Sequence, residues 1–334
     1  MTEEDLRKQA WDFFQMQAGQ RLTTFKFYMG GYPKGNPIGL EMVDDAVLYE
    51  SMLRIRDLGP YAYCMVHCED DALVLHLTRQ VRERGGDTLA DYAATRPDFA
   101  EEQDIRRAVW FAGLTGCPLY IVHTTIGSAL DVTTPARRDG TRVIVETCPH
   151  YLALTLDDER LAARGPGAGL VAPPLRSEED RVRLWRGVAD GEVDTIGTDH
   201  VPITKTGAGL WDERPGFSGL AVSLPVVLTY GYLEGHVDLP TVARAMAERP
   251  ARIFGYHPRK GAILPGADAD LAVIDLETER VVGPDTTLTP ATTAFEDVPL
   301  RGWPRYTVRR GEVIFRDGEY LGTPGSGRLL TPSA

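Results

Sequence analysis

The chain has 334 residues, 43% hydrophobic and 25% charged, a composition ordinary for a globular protein with one large domain plus an appendage. A wholly disordered chain is excluded, and no apolar run approaches the roughly 20 residues that span a bilayer. The 36 Lys and Arg against 48 Asp and Glu leave a net charge of −12 with no basic block, so neither nucleic acid nor a membrane is expected as a partner.

The N-terminal stretch from Met1 to Lys8 mixes both charge signs and lacks the apolar core of a signal peptide. With only four cysteines, this points to a cytoplasmic protein without a disulfide framework. Short apolar runs then alternate with amphipathic stretches, the pattern of β-α units on a parallel sheet. The strands are predicted at 23–29, 63–68, 118–124, 142–147 and 193–199, with helices at 44–58, 72–84, 101–114 and 178–189. Beyond Gly255 the texture changes to brief β pieces, at 270–274 and 306–315, separated by turns. A boundary is therefore expected at 255/256, with an α/β domain before it and a small β-sandwich-like unit and a Gly- and Pro-rich tail after it.

Polar groups recur at the C-terminal ends of the predicted strands: Lys26, His67, His123, His150 just past the fourth, and Asp199 with His200. In parallel β/α folds the catalytic groups project from that edge. Alternation places Thr24, Lys26 and Tyr28 on one face, Met65 with His67, Ile121 with His123, and Gly197 with Asp199. Cys64 and Cys68 then face away from His67, which disfavours a zinc knot built from those three residues. Imidazole and carboxylate suit a catalytic zinc-type ion, whereas an ammonium cannot bind one. Composition alone makes Lys26 a salt-bridged lysine. A neutral amine in a dry, cation-rich pocket could instead take up carbon dioxide as a carbamate, an anion suited to bridging two metal ions.

The ordered segments Phe25 to Met29, Met42 to Asp45, Val66 to Glu69, Leu119 to His123, Glu146 to Leu152, Ala172 to Arg176, Gly197 to His200 and Lys260 to Leu271 resemble the amidohydrolase superfamily. Within it they are most similar to the cyclic-amide hydrolases, dihydropyrimidinase and hydantoinase, with allantoinase and dihydroorotase as cousins. The resemblance implies a (β/α)8 TIM-type barrel, a carboxylated Lys26 bridging divalent ions, usually zinc, and His67 and His123 on the more exposed ion. It implies Asp199 as both metal ligand and proton shuttle, and ring opening of a small cyclic amide by metal-activated hydroxide. Tyr32, His150, His200, Ser218 and Gly219 are expected to orient ligands or substrate, and the assembly to be a homodimer or homotetramer.

The chain also departs from that pattern. Members carry a histidine pair at the end of the first barrel strand, whereas no histidine precedes His67 here. By the same mapping 23–29 is the fourth barrel strand, so residues 1–255 are expected to form an incomplete barrel lacking its first three strands. Such a sector would leave edge strands and apolar face exposed. Weak turnover, and one bound ion rather than two, follow as expectations. The family's substrate-contacting tyrosine falls at Gly31, with Tyr32 adjacent, and Ala172 and Ala221 stand where a serine and an acid are usual. The alternatives are a non-catalytic dihydropyrimidinase-related scaffold, or allantoinase- or dihydroorotase-type specificity.

Overall fold

The computed structural model describes residues 19, 23–31, 41–207, 209–287, 289 and 291–332. Strands β1 (Thr24–Tyr28), β2 (Tyr63–His67), β3 (Leu119–Ile121), β4 (Val143–Thr147) and β5 (Thr195–Ile196) form one sheet in chain order. Every pairing is parallel, with Lys26 opposite Met65, Met65 opposite Tyr120 and Tyr120 opposite Ile144. Parallel neighbours require crossovers. These are supplied by helices α1 (Asp45–Arg56), α2 (Asp71–Glu83), α3 (Leu89–Ala94), α4 (Asp98–Thr115), α5 (Ser128–Arg138), α6 (Pro149–Ala153), α7 (Glu159–Ala163) and α8 (Glu178–Asp190). Local chemistry sets their ends. Asp44 and Asp70 accept the Val47 and Leu73 amides at 2.8 and 2.9 Å, and α4 and α8 stop at Gly116 and Gly191 in the left-handed conformation.

Alternation along the strands separates two apolar layers. Phe25, Phe27, Cys64, Val66, Leu119, Val143 and Val145 join Leu48, Met52, Ile55, Ile105 and Leu130 of the helices in the main core. On the other, concave face lie Tyr63, Met65, Tyr120, Val122 and Ile144, closed off by Ile253 and Phe254, with the Phe254 ring 5.9 Å from that of Tyr120. Among the described residues β1 pairs only with β2 and β5 only with β4, so the sheet is an open sector of a barrel.

Downstream, β6 (Leu271–Asp275), β9 (Trp303–Arg309), β10 (Glu312–Arg316) and β11 (Glu319–Tyr320) make an antiparallel sheet of order β11-β10-β9-β6. Arg310 and Gly311, both at positive φ, turn the β9–β10 hairpin. Between β6 and β9 the chain returns to the first unit: β7 (Arg280–Val281) pairs with β8 (Pro299–Leu300), and Val282, Phe295, Leu300 and Trp303 lie in the main core. No helix among the described residues is long and apolar enough to cross a membrane.

Within α4, Asp104 is fully buried, and its charge partner is the Arg107 guanidinium at 2.8 Å. Burial outweighs that attraction and lifts its carboxyl to about 7. An acid with a raised folded pKa holds its proton more tightly in the fold, so this contribution is complete below about pH 4 and is lost as pH rises through 7. Asp104→Asn is therefore expected to raise Tm at pH 8 and to change it little at pH 4. Thermal melts at the two pH values check this, and equal shifts at both would contradict it.

Candidate active site

Since all five strands run the same way, their C-terminal ends share one edge. Lys26 projects from the middle of β1 on the concave face, His67 closes β2, His123 lies two residues past β3 and Asp199 three past β5. The ring nitrogens converge: His67 Nδ1 lies 3.1 Å from His123 Nε2, and Lys26 Nζ lies 3.4 Å from the same atom. The two imidazoles stand edge to face, 4.8 Å between centroids.

Burial works against positive charge on all three nitrogens. Burial lowers the pKa of Lys26, with Asp199 and Glu146 partly opposing, and burial lowers His67 as well. His123 falls well below the usual range through burial, with the Lys26 charge adding to the effect. Asp199 is pushed up by burial against the pull of Lys26. His123 and Asp199 both adopt positive φ (39° and 40°), a conformation that side chains with a Cβ rarely take and that tends to mark functional positions.

That backbone explains one correction. Alternation had set Ile121 and His123 on one face, but Ile121 packs among the helices while His123 reaches the concave side, because β3 ends at Ile121 and the chain reverses sense at His123. The inferences for β1 and β2 hold. Cys64 and Cys68 sit in the helix-facing core as free thiols, away from the His67 ring contacts.

Glu146 and Tyr120, not singled out from sequence, complete the concave floor. Glu146 Oε2 accepts from Tyr120 Oη at 2.7 Å, and its Oε1 accepts the His123 amide at 3.3 Å. Gly197 makes room for this carboxylate, since a Cβ there would lie 2.4 Å from Glu146 Oε2. The readable signal was Glu146's position two residues on from Ile144, on the same face.

His150, on α6, is buried against Tyr151 and Phe217, and burial pushes its pKa down to about 3. The Nδ1 of His200 accepts the Gly219 and Leu220 amides at 3.2 and 3.3 Å, while Ser218 donates its amide to Thr292 O. His200, Ser218 and Gly219 thus belong to one braced loop. Tyr32 lies outside the described residues; Tyr28 borders the cleft, its ring 5.3 Å from that of His67.

A cleft of about 650 Å³ opens over these groups, with Tyr28, His67, His123 and Asp199 at one end. Val74, Leu75, Tyr92, Leu170, Leu210 and Trp211 line its apolar wall. Among the described residues no three His, Cys, Asp or Glu side chains are placed to hold an ion by themselves. Lys26 brings a third nitrogen beside those of His67 and His123. Two neutral imidazoles and a desolvated amine next to a buried carboxylate fit one divalent ion, provided that Lys26 carries an anionic group.

Residues 90–314 match the amidohydrolase family. An L-hydantoinase of Paenarthrobacter aurescens is 34% identical over 94% of this chain and 74% of its own length. An allantoinase of Deinococcus radiodurans is 35% identical over 86% of this chain and 63% of its own length. The solved structure of a D-hydantoinase from a Bacillus species superposes with a TM-score of 0.88 at 26% identity, over 98% of this chain and 71% of that one. Fold and site together define a β/α-barrel hydrolase, and the chain belongs to the amidohydrolase family. That family generally binds divalent metal ions. The chain spans 63% to 74% of these relatives' lengths.

Proposed function

We propose that this chain hydrolyses the amide bond of a small cyclic amide, a dihydropyrimidine or hydantoin ring, with the assistance of a divalent metal ion. The observation that carries the reading is the convergence of His67 Nδ1, His123 Nε2 and Lys26 Nζ beside Asp199 at the base of the cleft. His67, His123 and Lys26 as its carbamate would hold the ion, with Asp199 as a further ligand; zinc is the ion proposed, since imidazole and carboxylate oxygen suit it. Bound there, the ion supplies Lewis acidity toward the ring carbonyl and toward water. Asp199 takes the proton of the attacking water and passes it to the leaving ring nitrogen, a task suited to a carboxylate whose pKa burial has raised. The apolar wall excludes bulk water and receives a ring substituent. His150 and His200 brace the loops on which site residues stand.

A cytoplasmic homodimer or homotetramer is part of the same reading. Free, buried cysteines support the compartment, and the exposed stripe of Phe99, Trp110 and Leu114 on one side of α4 supports a subunit contact.

Metal analysis of the purified 334-residue chain is expected to give nearer one ion than two, and His123→Ala to lose it. Two tightly held ions, or full retention in His123→Ala, would overturn the ligand assignment. The function itself is tested by following ring opening of dihydrouracil and 5-substituted hydantoins through loss of ultraviolet absorbance. Zinc-dependent hydrolysis supports it. A folded, zinc-loaded chain that opens none of these rings would favour a non-catalytic scaffold instead.

A further inference from the structure

We infer that Glu69 and Arg96 form a buried positioning pair that fixes the tautomer of His67 and so sets the affinity of the ion site; this rests on the ligand reading above. Glu69 Oε2 lies 2.7 Å from His67 Nε2, with both side chains 1% exposed. An ionised carboxylate only accepts, so Nε2 must carry the proton, and in the neutral ring Nδ1 keeps its lone pair. Nδ1 is the atom that faces His123 Nε2.

The same Glu69 oxygen receives Arg96 Nη1, and a guanidinium stays charged at any working pH, which keeps the carboxylate an acceptor. Arg96 is itself tied on three sides. Its Nη2 donates to Gly31 O, its Cζ lies 5.1 Å over the Tyr92 ring, and its backbone carbonyl accepts Arg176 Nη1 at 2.6 Å. The pair thus links the turn after β1, the strand that carries Lys26, to the last residue of β2.

Gly31 is what lets the pair close. At φ +97° a Cβ there would stand 2.7 Å from Glu69 Oε2 and 3.1 Å from His67 Nε2. A tyrosine, which the resemblance places at this position, has no room while the pair is made. The departure at Gly31 and the Glu69–Arg96 contact are one feature. Carboxylates behind metal-binding imidazoles fix ring orientation and raise donor strength, and their loss typically weakens metal binding by about 10- to 100-fold.

The test uses the purified full chain and zinc alone. With histidine-selective ¹⁵N labelling, the metal-free wild type is expected to show His67 as the Nε2–H form. Glu69→Met should shift it toward a mixture and lower zinc affinity, measured by chelator competition, by about 10- to 100-fold. Since Glu69→Met takes the carboxylate away from a buried guanidinium and so threatens folding, Glu69→Met/Arg96→Met is made alongside it, with the same expectation. Glu69→Gln, which keeps an acceptor, should retain the tautomer and lose less affinity. An unchanged His67 tautomer and unchanged zinc affinity in the folded double variant would overturn the inference. Because the tautomer is read without metal, a wild type that binds no zinc defeats the ligand reading separately.

Discussion

Asp199→Asn is expected to lower kcat for ring opening by about 10²- to 10⁴-fold, the usual worth of a positioned acid–base group, with little change in zinc content. Asparagine keeps a carbonyl oxygen at the same place and leaves Lys26, His67 and His123 intact, but it cannot carry a proton between water and nitrogen. The site's own electrostatics make the distinction sharp. Asp199 sits in a buried setting that raises its pKa, next to a lysine whose charge the same burial disfavours. Replacing the carboxylate by an amide therefore removes the group best placed to accept a proton while leaving three of the four proposed donors and a carbonyl oxygen in place of the fourth. Parallel measurement of turnover and metal content decides the matter. If Asp199→Asn lost its zinc and its activity together, the residue would be acting mainly as a ligand; full activity would remove it from the chemistry.

The strand order and the edge that bears the site were readable because apolar runs led into His67 and His123, and a parallel sheet brings such ends together; Lys26, read as another strand end, lies in the middle of β1 and reaches the same site from there. The predicted elements lie close to the observed ones: helices foreseen at 44–58 and 178–189 occupy Asp45–Arg56 and Glu178–Asp190. Alternation gave the correct face for Lys26 and for Cys64, since both lie inside regular strands. It misplaced Ile121 relative to His123, because periodicity stops where φ turns positive and nothing in a lone histidine announces that turn. The contacts that hold the site were not legible. Glu69 and Arg96 are 27 positions apart, and Glu146 reads as one more strand residue until Tyr120 and the Gly197 backbone are seen beside it. Gly31 was visible only as a departure; that a Cβ there would meet Glu69, Arg96 and His67 could be seen only in the structure.

Arg176→Met is expected to cost about 3–5 kcal/mol of stability, the penalty of leaving a buried ion-pair partner unpaired. Arg176 is 5% exposed and donates to Glu101 Oε2 at 2.9 Å, Thr125 Oγ1 at 2.9 Å and Arg96 O at 2.6 Å. Glu101, itself 2% exposed, also accepts the Thr125 amide at 2.9 Å, so one guanidinium ties α4, the loop after β3 and the segment from Ala172 to Arg176. Burial raises the Glu101 carboxyl, and Arg176 is the first of the groups opposing that rise. Without Arg176 the folded pKa climbs further. A raised acid pKa means stability that is complete at low pH and lost as pH rises, so the deficit of Arg176→Met should be larger at pH 8 than at pH 5. Arg176→Met/Glu101→Leu, which removes both charges, should recover most of the loss. Urea unfolding midpoints at the two pH values measure all three expectations. A single variant within 1 kcal/mol of wild type, by the scale of buried pairs, or a deficit that shrinks as pH rises, would mean that hydrogen bonds from Thr125 alone satisfy Glu101. The consequence reaches the cleft, because Leu170, Val171 and Ala172 line it just before the segment that Arg176 anchors. Loosening that wall should raise KM for a substituted ring more than it lowers kcat, since the groups around His67, His123 and Asp199 stand on other strands.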